Sequence, residues 1–143
     1  PTGRETILFV DDEPFLVDLG KQLLTRLGYH VATCDSGEEA LKQIQANPQQ
    51  FDLVITDFTM PSMTGDRLAQ EILKLRADLP IIMSSGYCDP KIFGASSWKG
   101  IAAFVMKPLT IGELACAVRR VLDRPAVQSV VQPVSGSCRI APN

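Results

Sequence analysis

Residues 51–57 read Phe-Asp-Leu-Val-Ile-Thr-Asp, a short apolar run that ends at a carboxylate. Its β-branched and aromatic content predicts a buried strand from Phe51 to Thr56, with Asp57 directly after it. Segments in which apolar residues recur at helical spacing lie on both sides, at 36–46 and at 65–76. A strand between two helices is the repeating unit of a parallel α/β sheet.

The same alternation extends in both directions from this stretch. Pro14 suits the first turn of a helix, and Gly28 follows the last apolar position of that helix as a C-terminal glycine should. Further strands are predicted at 6–10, 30–34, 80–84 and 102–106, and further helices at 14–27, 88–98 and 110–122. The helix at 88–98 is predicted to be short, because glycine and serine interrupt it.

Five strands that alternate with five helices predict an α/β fold with a five-stranded parallel sheet covered on both faces. We adopt the strand order 2-1-3-4-5, which known flavodoxin-like, doubly wound sheets have. Residues 5–124 would form this domain. Residues 125–143 carry a single charged side chain and are expected to be a linker or a disordered tail. Because the chain opens on Pro1 rather than Met, we expect it to be a fragment of a longer protein.

Composition excludes several functional classes. The chain has 14 basic and 16 acidic residues and a net charge of −2, without a basic patch, so no direct nucleic-acid binding is expected. No run approaches the roughly 18 apolar residues of a membrane span, so no membrane insertion is expected. The cysteines form no CxxC pair and are predicted to be free thiols, which favours a cytoplasmic location. They are Cys34, Cys88, Cys116 and Cys138.

Polar residues of complementary chemistry follow four of the five predicted strands. The first strand ends at Asp11 and Asp12, the third at Asp57, and the fourth at Ser85, while the fifth leads into Lys107. In the adopted order these four strands are contiguous, and ligands of such sheets bind outside the carboxyl ends of the strands. Each residue alone could be a helix cap or a turn former. Their joint occurrence at adjacent strand ends favours one shared site.

The chemistry of this site points to phosphoryl transfer. Three neighbouring carboxylates repel one another and need a cation, and hard oxygen ligands with room for water suit Mg²⁺. A lysine supplies a compact positive charge for a phosphate, and a serine hydroxyl can donate to a phosphoryl oxygen. A carboxylate, a divalent metal, a lysine and a hydroxyl together make a phosphoryl-transfer site with an aspartyl nucleophile, for which Asp57 is the candidate.

Five segments of the chain carry motifs in a characteristic order and spacing. They are Val10-Asp-Asp-Glu-Pro14, Ile55-Thr-Asp-Phe-Thr-Met-Pro61, Met63-Thr-Gly65, Met83-Ser-Ser-Gly-Tyr87 and Phe104-Val-Met-Lys-Pro108. Together they resemble the response regulator receiver domain (CheY-like) family of two-component signalling. The Ser-Gly-Tyr segment also resembles receivers that belong to hybrid sensor histidine kinases.

The resemblance implies a role for each matching residue. Asp57 matches the phosphorylated aspartate, and Lys107 matches the lysine that binds the phosphoryl group. The metal, Mg²⁺, would be held directly by Asp12 and Asp57, through water by Asp11, and by the backbone carbonyl of Thr59.

Two further positions match the switch of the family. Ser85 is the switch hydroxyl and Phe104 the switch aromatic, with Ser and Phe where Thr and Tyr are more common. The Lys107–Pro108 peptide bond is expected to be cis. Thr59 and Tyr87 match the positions that tune self-dephosphorylation.

The resemblance also implies partners and an output. A histidine kinase or a phosphotransfer domain would donate the phosphoryl group from a phosphohistidine, and the chain would catalyse only its own phosphorylation and dephosphorylation. Phosphorylation would switch the face formed by the helix at 88–98, the fifth strand and the last helix. A dimer could form through this face. The sequence does not identify the downstream effector.

Two other classes use related chemistry. A haloacid-dehalogenase-like aspartyl phosphatase needs a second aspartate two residues after its nucleophile, where this chain has Thr59. A flavodoxin-like binding module needs a phosphate-binding loop after the first strand, where this chain has Asp11-Asp12-Glu13, which would repel a phosphate.

Overall fold

The computed structural model describes residues 3–86 and 100–123. Five parallel strands form a single sheet in the order β2-β1-β3-β4-β5, which confirms the predicted order. The strands are β1 (Thr6–Val10), β2 (His30–Cys34), β3 (Leu53–Asp57), β4 (Ile81–Ser85) and β5 (Ala103–Met106).

Four helices lie within the described residues: α1 (Pro14–Arg26), α2 (Gly37–Ala46), α3 (Gly65–Leu75) and α4 (Ile111–Leu122). The hydroxyls of Ser36 and Thr110 cap α2 and α4, and each accepts a hydrogen bond of 3.2 Å from the backbone N–H three residues later. No helix in the described ranges has the length and apolar character needed to cross a membrane. The predicted helix at 88–98 and the predicted tail at 125–143 lie outside the described residues.

The hydrophobic core forms two layers, one on each face of the sheet. Because side chains alternate along a strand, Ile55 belongs to the layer under α1 and α4, and its neighbour Val54 to the layer under α2 and α3. Leu24 and Leu114 fill the first layer from their helices, and both are fully buried. This arrangement leaves the ends of the strands as the place where polar side chains can gather.

The third strand is displaced toward the site relative to the prediction. It begins at Leu53 rather than Phe51 and includes Asp57 as its last residue. The shift has a visible cause at Asp52, whose backbone and carboxylate exchange hydrogen bonds of 2.8 and 2.9 Å with Thr6 before the regular pairing begins. At the other end of β3, Asp57 pairs with Ser84 and is held within the sheet.

Of the two cysteines within the described residues, one agrees with the prediction of free thiols and one does not. Cys34 is free and buried, and burial, with smaller effects of nearby carboxylates, raises the pKa of its thiol to about 12. Cys116, in α4, is disulfide-bonded, so the prediction was wrong for this residue. A disulfide depends on the approach of two cysteines in space, which their spacing in the sequence does not reveal.

Candidate functional site

Three aspartates and a lysine meet at the carboxyl ends of the central strands. Asp11 and Asp12 follow β1, Asp57 ends β3, and Lys107 follows β5. Asp11 is fully buried and Asp57 is 5% exposed, while Asp12 is more exposed than either. One carboxylate oxygen from each of the three aspartates lies within 4.8 Å of the other two.

Lys107 contacts two of the three carboxylates directly. Its Nζ lies 3.0 Å from Oδ1 of Asp57 and 3.1 Å from Oδ2 of Asp11. The backbone N–H of Lys107 donates to the carbonyl of Ser85 at 2.9 Å, which continues the β4–β5 pairing to this residue. The Lys107–Pro108 peptide bond is cis, as predicted.

Burial and charge oppose each other at this site. Burial is the largest influence on Asp57 and raises its pKa, although the hydrogen bond from Lys107 lowers it, and the net shift is upward. Burial alone would lower the pKa of Lys107, but its contacts with Asp57 and Asp11 outweigh burial and raise it. The lysine is therefore held as a cation, whereas burial makes ionisation of Asp57 less favourable than that of an exposed aspartate.

The donor set of this cluster fits a divalent cation that prefers oxygen. The three carboxylates carry more negative charge than one ammonium group neutralises. Asp11 is fixed in place because its Oδ1 accepts a hydrogen bond of 3.0 Å from the backbone N–H of Glu13. Oxygen ligands in small number, with one side open to water at Asp12, match the coordination of Mg²⁺.

The other predicted site residues lie around this cluster. Ser85 is the last residue of β4 and is half-buried, and Thr59 is exposed in the loop between β3 and α3. Phe104 is 3% exposed, belongs to the core layer under α2 and α3, and pairs with Met83. By strand alternation Ser85 faces the same side of the sheet as Met83, and therefore as Phe104.

The sequence alone assigns no role to two residues next to Asp57. Ser84 is 1% exposed and pairs directly with Asp57, and its hydroxyl donates to the carbonyl of Thr56 across a long 3.5 Å contact. Gly65, the first residue of α3, donates its backbone N–H to the carbonyl of Phe58 at 2.8 Å. For Gly65 the signals in the sequence are its position where the loop after β3 meets a helix and its place in the Met63-Thr-Gly65 motif.

Comparison with known proteins identifies the family. The family model for the response regulator receiver domain matches residues 7–119. The chain belongs to this family. Receiver domains are signalling domains of two-component systems. In this receiver domain the aspartate cluster lies at the carboxyl ends of the central strands.

Three relatives illustrate the similarity. The two-component response regulator ARR10 of Arabidopsis thaliana is 36% identical over an alignment of 141 residues that covers 96% of this chain and 25% of ARR10. A receiver domain protein of Clostridium thermocellum is 29% identical, covers 83% of this chain and 94% of its own, and superposes with a TM-score of 0.78. TrrA of Thermotoga maritima, solved in complex with Mg(2+)-BeF, is 35% identical, covers 82% and 98%, and has a TM-score of 0.74.

The curated relatives are much longer than this receiver domain. The chain spans 25% of ARR10 and 16% of the rice response regulator ORR22. The similarity therefore concerns the receiver domain of these proteins and not their remaining parts.

Proposed function

We propose that this receiver domain accepts a phosphoryl group on Asp57 in a two-component phosphorelay. The observation that carries the proposal is the placement of Asp57 at the carboxyl end of a central strand, 3.0 Å from Lys107 and clustered with Asp11 and Asp12. A carboxylate beside a lysine and two further carboxylates has the components of a phosphoryl-transfer site.

The proposed donor is the phosphohistidine of a histidine kinase or of a phosphotransfer domain. A carboxylate oxygen of Asp57 attacks the phosphorus atom, and an O–P bond forms while the P–N bond to the imidazole breaks. The imidazole leaves with the electron pair of that bond. Within this chain, Lys107 turns from Asp57 toward a phosphoryl oxygen, and the hydroxyl of Ser85 donates to another.

The proposed metal ligands are the side chains of Asp12 and Asp57, the backbone carbonyl of Thr59, and Asp11 through a water molecule. When bound, Mg²⁺ would neutralise negative charge on the carboxylates and on the phosphoryl oxygens. The support for this assignment is the oxygen-only donor set and the excess of negative charge at the cluster.

The proposed output passes from Ser85 to Phe104. Both residues face the side of the sheet covered by α2 and α3, and they lie on adjacent strands. A movement of Ser85 toward a phosphoryl group would change the packing around Phe104, which is already buried. The face formed by residues 88–98, β5 and α4 would respond, although its first segment lies outside the described residues.

The test of this function is labelling with a small phosphodonor. With acetyl phosphate and Mg²⁺, intact-protein mass spectrometry should show one added phosphoryl group, and the group should be absent without Mg²⁺. Asp57→Asn should abolish the labelling. Asp35→Asn, which changes an exposed aspartate directly after β2, should leave it intact. Equal labelling of Asp57→Asn and the wild type would show that Asp57 is not the nucleophile.

An aspartyl phosphatase of the haloacid-dehalogenase type is not favoured. Such an enzyme requires a carboxylate two residues after the nucleophile to protonate the leaving group, and Thr59 cannot do this at neutral pH. Membership in the receiver domain family agrees with this conclusion.

A further inference from the structure

Gly65 lies against the backbone of the phosphorylation site. A Cβ atom added to Gly65 would overlap the carbonyl oxygen of Asp57, and it would lie 2.9 Å from Cα of Phe58 and 2.6 Å from Sδ of Met83. Gly65 is not among the described residues with positive φ, so the lack of space, rather than its backbone angle, excludes a side chain. The first turn of α3 can approach the end of β3 this closely only with glycine.

This approach fixes the loop that follows Asp57. The backbone N–H of Phe58 donates to the carbonyl of Ser84 at 2.9 Å, and the carbonyl of Phe58 accepts from the N–H of Gly65 at 2.8 Å. Met60, two residues later, is 5% exposed and packs in the core layer under α2 and α3. The side chain of Thr59 is exposed, but Thr59 lies between Phe58, which is held by these hydrogen bonds, and Met60, which is held in the core. The backbone of Thr59 therefore has little freedom to move.

We infer that Gly65 is a positioning residue for the metal site. Its bare α-carbon allows α3 to pack on the carbonyl of Asp57, and this contact sets the direction of the Thr59 carbonyl that we propose as a metal ligand. Met83 supports the contact from β4, since its sulfur atom occupies the remaining space beside Gly65. The inference rests on the proposed function, because it assumes that a metal binds between Asp12, Asp57 and Thr59.

A side chain at position 65 would collide with atoms that cannot all move aside. Two of the three neighbouring atoms belong to the backbone of Asp57 and Phe58, which cannot rotate away as a flexible side chain could. Either α3 moves outward or the 57–59 backbone shifts. Both changes alter the relation between the carboxylate of Asp57 and the carbonyl of Thr59.

The experiment compares Gly65→Ala with Gly112→Ala. Gly112 also lies in the first turn of a helix, α4, but a Cβ added to it would have no neighbouring atom within 4 Å. Gly112→Ala is therefore the same substitution in the same part of a helix without a clash. The Mg²⁺ dissociation constant is measured by isothermal titration calorimetry, and folding is checked by circular dichroism. Gly65→Ala should bind Mg²⁺ about tenfold more weakly, as expected when the support of a ligand is lost. Gly112→Ala should match the wild type.

A kinetic measurement separates positioning from general damage. If Gly65 sets a metal ligand, Gly65→Ala should require more Mg²⁺ for half-maximal labelling by acetyl phosphate, while the rate at saturating Mg²⁺ falls much less. A folded Gly65→Ala variant with the Mg²⁺ affinity of the wild type would overturn the inference and leave the proposed function intact. Failure of the wild type to bind Mg²⁺ or to become labelled would instead overturn the proposed function.

A measurement on the wild type covers the case in which Gly65→Ala does not fold. Addition of Mg²⁺ should shift the backbone amide NMR signals of Gly65 and Phe58, because their hydrogen bonds hold the ends of the ligand loop. The amide signal of Gly112 should not change. An unchanged Gly65 signal in a sample that binds Mg²⁺ would contradict the inference.

Discussion

Lys107 reaches Asp57 across an intervening strand: its Nζ lies 3.0 Å from Oδ1 of Asp57, although β4 separates β5 from β3. Two strand spacings amount to about 10 Å. The lysine side chain, the 3.0 Å contact and the side chain of Asp57 together bridge this gap. Ser84, on β4, pairs with Asp57 on one side and with Val105 on the other. Its small side chain leaves room for the lysine to cross.

Replacement of Lys107 by methionine should affect phosphorylation and metal binding in opposite directions. The rate of labelling by acetyl phosphate should fall by about 10²-fold, because a positive charge aimed at the phosphoryl oxygens is lost. Mg²⁺ binding should be as tight or tighter, because the lysine competes with the metal for Asp57 and Asp11. Stopped-flow or mass-spectrometric rates and calorimetric titration measure the two effects. Weaker Mg²⁺ binding by Lys107→Met would show that the lysine helps to build the metal site.

Asp12 should contribute more to metal binding than an exposed aspartate at the neighbouring strand end. Asp12→Ala removes one of the three carboxylates of the cluster and should weaken Mg²⁺ binding by about tenfold or more. Asp35→Ala should have little effect, because Asp35 follows the edge strand β2 and is not part of the cluster. Equal effects of both substitutions in a Mg²⁺ titration would contradict the assignment of the metal ligands.

The sequence predicted which strand ends form the site, but it did not predict the distances between the residues there. Apolar runs that end at Asp11, Asp57 and Ser85 mark the ends of parallel strands, and such ends meet at one edge of a sheet. The close approach of Gly65 to the carbonyl of Asp57 was not predicted, because it depends on how tightly α3 packs on β3. Spacing in a sequence carries no information on such distances.

A second feature that the sequence did not predict lies at the opposite end of the sheet. Arg119 of α4 forms two hydrogen bonds with Glu5, at 3.0 and 3.1 Å, and donates to the hydroxyl of Tyr29 at 3.3 Å and to Asp123 at 2.8 Å. Asp123 lies four residues after Arg119, but Glu5 and Tyr29 come from distant parts of the chain, and no local pattern links them to Arg119. The contact joins the last helix to the beginning of β1.

This contact predicts a pH-dependent contribution to stability. The hydrogen bonds from Arg119 lower the pKa of Glu5 below its ordinary value of 4.5, so the stabilisation is complete above that value and is lost as the pH falls through the folded-state pKa. Arg119→Gln should therefore lower the free energy of unfolding at pH 7 by at most about 1 kcal/mol, because the pair is partly exposed. Urea denaturation should show that this difference shrinks at acid pH.

The adjacent Arg120 provides the control for this measurement. Arg120 is exposed, and its replacement by glutamine changes the net charge by the same amount as Arg119→Gln. Arg120→Gln should have little effect on stability at either pH. A loss of stability in Arg119→Gln that stays constant down to acid pH would mean that packing against Tyr29, rather than the ion pair with Glu5, accounts for the effect.

The last prediction concerns the path from the phosphoryl group to β5. Amide hydrogen exchange, measured with and without beryllofluoride as a phosphoryl mimic, should change at residues 84–86, along β5 and on one side of α4. Helix α2 should be unaffected, because it covers the sheet away from β5. Residues 88–98, which the sequence predicts to have little intrinsic helical stability, should change most.

Two neighbouring serines test whether Ser85 carries this change. Ser85 and Ser84 are adjacent on β4 but face opposite sides of the sheet, and only Ser85 shares the side of Phe104. Ser85→Ala should still bind beryllofluoride but should lose the change in exchange along β5, because no hydroxyl moves toward the mimic. Ser84→Ala should keep that change. If Ser85→Ala transmits the change as well as the wild type does, Phe104 is a fixed core residue, and the signal reaches α4 through Lys107 and its backbone bond to Ser85.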